Sequence, residues 1–69
     1  MPRFHIRVRT KNPKEDLELL RRAKLEAKGG GKNHIDVFLD AADGEAGCQQ
    51  IGRALGRKAD CVETEPAGD

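Results

Sequence analysis

The side chains able to do chemistry in this 69-residue chain are few. His5, His34, Asp36 and Cys61 are donor types that zinc accepts. No two of them stand at a recognised ligand spacing, and Arg3 and Arg7 lie close by in sequence and would repel a cation. The reading is therefore no metal site and no cofactor. Cys61 near His34 or His5 could form a thiolate pair, but only in one strand register. The chain has no serine, and its threonines are Thr10 and Thr64 alone. No nucleophile stands at motif spacing from a base, so no catalytic residue is assigned.

Three loops carry polar groups whose ordinary roles suffice. Asp40, Asp43 and Glu45 lack calcium-loop spacing and read as a helix cap and dipole-compensating acids. Thr10-Lys11-Asn12 could hold an anion at a helix start, and also reads as plain capping. Lys28-Gly29-Gly30-Gly31-Lys32 follows a helix instead of a strand, the wrong order for a phosphate loop.

Two alternating segments position the remaining candidates. In Arg3–Arg9, Phe4, Ile6 and Val8 face a core, and Arg3, His5, Arg7 and Arg9 face away. In residues 34–41, Ile35, Val37 and Leu39 face the core, and His34, Asp36, Phe38 and Asp40 face away. A weaker third strand is expected over residues 60–65.

Two helices are expected between the strands. The first starts at Asn12-Pro13, presents Leu19, Leu20, Ala23 and Ala27 on one face, and ends at Gly29-Gly30-Gly31. The second is capped by Asp43, presents Cys48, Ile51 and Leu55, and ends at Gly56. Gly47 and Gly52 inside it suggest close packing on a sheet.

The expected fold is a small two-layer α/β domain over residues 1–65, with a flexible tail over 66–69. It has β-α-β-α-β order and a three-stranded, mostly parallel sheet with two helices on one face. Strand order 1-2-3 is preferred, because with parallel strands order 2-1-3 would lay a helix over Arg7, Arg9, Asp36 and Asp40. The charges pull the other way. Residues 1–11 carry four basic groups and no acid, whereas residues 34–47 and 59–69 each carry four acids. A basic first strand between two acidic strands pairs charge better.

Aligned from their starts, the strands set His5 beside Asp36 and Glu63, and Arg7 beside Phe38 and Glu65. Phe38 is then a large apolar residue on the uncovered face, ringed by arginines, as at the centre of a contact patch. The expected function is a non-enzymatic interaction module that binds a protein, or itself, through Phe38, Arg7, Arg9, Asp36 and His5. The alternative is a nucleic-acid-binding module using the basic first strand. The acidic neighbouring strands and a net charge of only +1 count against that alternative. A small metal- or thiol-dependent enzyme is the third reading.

No apolar run reaches the length of a membrane span, and no signal region is visible at the N-terminus. A cytoplasmic setting follows, and with it free thiols at Cys48 and Cys61. A chain this short buries only about 60% of its unfolded surface, so help from a partner subunit is expected.

Overall fold

The structure is a computed structural model that describes residues 2–29 and 31–68. Six elements follow in order: β1 (Arg3–Arg9), α1 (Pro13–Arg22), β2 (Glu26–Gly29), β3 (His34–Asp40), α2 (Gly44–Leu55) and β4 (Asp60–Pro66). They form a four-stranded sheet of order β2-β3-β1-β4 in which each neighbouring pair is antiparallel. This is two interleaved β-α-β units, the split arrangement of ferredoxin-like folds.

The expected three-stranded, mostly parallel sheet is thus overturned, and so is strand order 1-2-3. The error began in α1. The helix stops at Ala23, and Lys24 takes a left-handed backbone, φ 64°. A non-glycine residue there leaves no sequence mark of a helix end. The chain turns, and Glu26–Gly29 pairs with β3, with Ala27 opposite Val37. Ala27 is buried, but from a strand and not from the helical face. Gly29 closes β2 instead of α1. Gly30, placed in the helix-ending run, lies outside the described residues, as do Met1 and Asp69.

With β2 present, each crossover skips one strand. β1 and β2 run parallel with β3 between them, and β3 and β4 run parallel with β1 between them. Both helices then cover one face while β1 stays central, flanked by the two acidic strands. An antiparallel sheet tolerates one solvated face, which the alternation in β1 and β3 requires.

The core lies between that sheet face and the helices. It comprises Ile6, Val8, Ile35, Val37 and Leu39 from the sheet, with Leu20 from α1 and Ile51 and Leu55 from α2. Asp43 Oδ1 accepts from the Ala46 N–H at 2.8 Å and caps α2, and Gly56 ends that helix at φ 76°. Asn12 makes no side-chain cap on α1. Thr10 Oγ1 instead accepts from the Asn12 N–H at 3.1 Å. Gly47 packs on the sheet, where a Cβ would meet Ile6 Cδ1 at 2.8 Å.

Cys48 on α2 and Cys61 on β4 form a disulfide, with Cα atoms 6.3 Å apart. This corrects the free-thiol expectation. It also removes Cys61 from the uncovered face, because Cys61 lies opposite the buried Val8 and turns toward the helices. The pairing of β1 with β4 shifts there: Arg7 faces Glu63, Val8 faces Cys61, and Val62 is the extra residue of a bulge.

β4 is the more exposed edge, and only Cys61 in it is partly covered. The bulge, Pro66 and the carboxylates of Glu63 and Glu65 make that edge a poor template for another strand. Ala67 N–H still donates to Arg3 O at 2.9 Å, so the segment expected as a tail begins in contact with β1. No helix among the described residues is long and apolar enough to cross a membrane.

Candidate functional site

The helix-free face of the sheet brings together four of the five residues singled out from sequence: Phe38, His5, Arg7 and Asp36. Their register partners are not those expected. Antiparallel pairing sets His5 opposite Phe38 and Arg7 opposite Asp36. The expected rows, His5 with Asp36 and Arg7 with Phe38, assumed parallel strands and are corrected, although His5 still reaches Asp36 on the diagonal. From β4, Glu65 rather than Glu63 faces His5.

His5 is the hub. Its ring stacks on Phe38 with centroids 4.7 Å apart and planes 9° from parallel. Nε2 lies 2.9 Å from Asp36 Oδ1, and Nδ1 lies 2.9 Å from Glu65 Oε1. An ionised carboxylate only accepts, so both contacts are hydrogen bonds at once only in the protonated ring, which they therefore favour. The hydrogen bond to Asp36, then that to Glu65, raises the His5 pKa above the usual histidine value, against the opposing effect of burial. Burial pushes the Asp36 carboxyl up, but the hydrogen bonds from His5 and Arg7 outweigh it, and its pKa lies below the ordinary value. Arg7 Nε donates to the same Asp36 Oδ1 at 3.1 Å.

Phe38 is flanked on both sides. His5 reaches it from β1, and the Lys28 ammonium of β2 lies 5.7 Å from its centroid. Phe38 is consequently half-buried, and the exposed large apolar residue among the described residues is Val62, at 46%. Arg3 completes the face, pairing with Glu26 at 2.6 Å and with Asp40 at 3.5 Å.

The sign of the His5 effect on stability follows from its raised pKa. The clamp contributes fully below about pH 6.5, the unfolded value, and is lost as pH rises through the higher folded value. Urea denaturation is expected to show stability falling across that alkaline-side window, and His5→Gln is expected to flatten the fall. An NMR titration of the His5 ring with a midpoint at or below 6.5 would contradict the clamp.

Arg9, the fifth residue, stands two positions beyond Arg7 at the end of β1 and makes no ion pair among the described residues. It borders an open cleft of about 1020 Å³ that Arg7 also lines. His34 and Lys11 border the same cleft. Arg57, in the loop between α2 and β4, lines it too and grips Asp16 of α1 with two bonds, 3.1 Å to Oδ1 and 2.6 Å to Oδ2. Asp16 is 2% exposed. Burial pushes its carboxyl up, but the hydrogen bonds from Arg57 and Thr10 prevail and lower its pKa.

The sequence does not single out this pair, because an acid in a first helical turn already has an ordinary role toward the helix dipole. A signal for burial was present, since Asp16 stands four residues before Leu20 and so shares its buried helical face. Val62 had no signal, because the bulge that exposes it depends on the β1–β4 register. The carboxylates after β3 have local roles: Asp43 caps α2 and Asp40 takes Arg3. No group of three or more histidine, cysteine, aspartate or glutamate side chains among the described residues is arranged to hold a metal ion. With Cys61 in a disulfide, the proposed thiolate pair with a histidine is overturned. No protein-family model, no curated protein and no solved structure matches this chain at a significant level.

Proposed function

We propose that the chain is a non-catalytic interaction module that docks a protein partner, in the simplest case a second copy of itself, on its helix-free sheet face. The observation that supports this reading is the braced aromatic centre. Phe38 is held by the His5 ring, which is itself fixed by Asp36 and Glu65, so a large side chain on the open face is ordered before any partner arrives. Preordered groups lose little freedom on binding. Lys28 beside it, and Arg7 on Asp36, supply the polar surround.

Size limits the affinity. The whole domain spans only 28 × 20 × 18 Å, so one face of it offers little beyond what a standard stable interface of roughly 1,200–2,000 Å² needs. The association is weak and reversible in this reading.

The geometry favours protein over nucleic acid. Of the basic strand, Arg3 and Arg7 already hold carboxylates, and the flanked Phe38 offers little free ring for a base. The compartment is read as oxidising and not cytoplasmic, because disulfides such as Cys48–Cys61 persist there.

Light scattering over a concentration series tests the reading. Mass is expected to rise toward a dimer at high concentration, and Phe38→Ala is expected to abolish the rise with the circular dichroism spectrum unchanged. Equal association of both proteins would place the interface elsewhere. A gel shift with single-stranded RNA that weakens steeply with salt would favour the nucleic-acid alternative.

A further inference from the structure

We propose that the cleft at the end of β1 is a second binding site, taking a short acidic peptide that carries an apolar side chain between its carboxylates. Three observations converge on it. First, Arg9 and Lys11 border the cleft with no ion-pair partner among the described residues, whereas Arg3 and Arg7 on the same strand are engaged. They are cations the fold leaves unspent.

Second, Arg57 is held rigid. Its two bonds to the buried Asp16 fix the guanidinium, yet the side chain stays 49% exposed. A planar guanidinium held in place loses little freedom when it meets a carboxylate. Its Nη2 also lies 3.5 Å from Thr10 Oγ1, between Arg9 and Lys11 in the chain, and all three cations line the cleft.

Third, the β4 bulge turns Val62 out of the strand's alternation and into the cleft lining. Bulges recur where a side chain is re-aimed at a site. Val62 thereby sets an exposed apolar contact among cations.

The lining also settles the ligand class. Glu15 and Asp60 sit among the cations, so the local field is not strongly positive. A bare inorganic anion would gain little there. A peptide can place carboxylates at Arg9 and Lys11, the cations without an ion pair, while an apolar side chain covers Val62.

The test titrates the full chain, disulfide intact, with an acetylated, amidated peptide of alternating glutamate and leucine. Its lysine–leucine counterpart and inorganic phosphate serve as comparisons, with amide chemical shifts as the readout. Saturable binding is expected, with shifts centred on Arg9, Lys11, Arg57 and Val62. The Arg9→Glu/Lys11→Glu variant is expected to bind about tenfold more weakly, since reversing rim charges sets like against like. Val62→Asp is also expected to weaken binding, and Phe38→Ala to leave it unchanged, which separates this site from the sheet face. Circular dichroism of each variant confirms that it is folded. The proposal is overturned if the glutamate–leucine peptide does not saturate at millimolar concentration. Equal binding by the charge-reversed variant, by the lysine–leucine peptide or by phosphate would overturn it as well.

Discussion

Replacing Cys48 and Cys61 together by alanine is expected to destabilise the chain by about 3 kcal/mol, the effect of losing a crosslink across a loop of this length. The sequence separation is 13 residues, so the gain comes from restricting the unfolded chain over the α2–β4 connection. For a domain this small, that loss corresponds to a melting temperature lower by roughly 12–24 °C. The core is thin and total stability is a few kcal/mol at this size, so a large fraction of the doubly substituted protein is expected to be unfolded at ambient temperature. Thermal melts of the two proteins, and of the native chain with and without a reductant, measure it. Identical melting of oxidised and reduced protein would show that α2 and β4 hold together without the bond.

Arg57→Ala is expected to cost about 3 kcal/mol, because it leaves the Asp16 carboxylate buried without its cation. The figure is taken at the low end of the range for broken buried pairs, since Arg57 is half exposed and water partly screens the interaction. Acidity supplies the signature. In the native chain the Asp16 pKa is depressed, so its contribution is present above its unfolded value, near 3.8, and is lost as pH falls through the lower folded value. In the variant no cation opposes burial, and protonation relieves the strain. The two stabilities should therefore converge in acid. The double replacement Asp16→Leu/Arg57→Leu should recover much of the loss at neutral pH, because it removes both charges. Urea titrations at neutral and acid pH separate these outcomes, and a pH-independent difference would mean that Arg57 acts only by packing.

Both helices had visible starts and the alternating strands were plain, because proline, aspartate and period-two patterns act locally. β2 was invisible for the opposite reason. Its helix-ending Lys24 adopts a backbone that a lysine rarely takes, and Ala23 and Ala27 repeat at helical spacing although the chain has already changed structure between them. The charge distribution had placed the basic strand between the acidic ones. That cue was outweighed by a topological argument that held only for parallel strands. Once β2 enters, the two arguments agree.

The candidate face was legible as a set of residues but not as a geometry. Alternation names which side chains share a face, whereas register decides which of them touch. His5 and Phe38 stack because antiparallel pairing sets them opposite. The disulfide was missed for a different reason: the compartment was inferred from the absence of an export signal, and the thiols were assigned from the compartment. The distance between α2 and β4 that permits the bond is a tertiary fact.

The start of β1 lies beside the end of β4, Phe4 opposite Pro66. A pull on the two ends of the chain would thus enter at neighbouring strand ends and load the β1–β4 hydrogen bonds one at a time, as a peel and not a shear. Peeling would proceed from Pro66 past Glu65 and stop at Cys61, where the covalent link passes the tension into α2. The β4 residues beyond that link, Val62 to Pro66, are the part of the sheet that yields first under load, and they include Glu65, which holds His5 in place. A tug on the C-terminal end would therefore reach the aromatic centre of the open face before it disturbed the core.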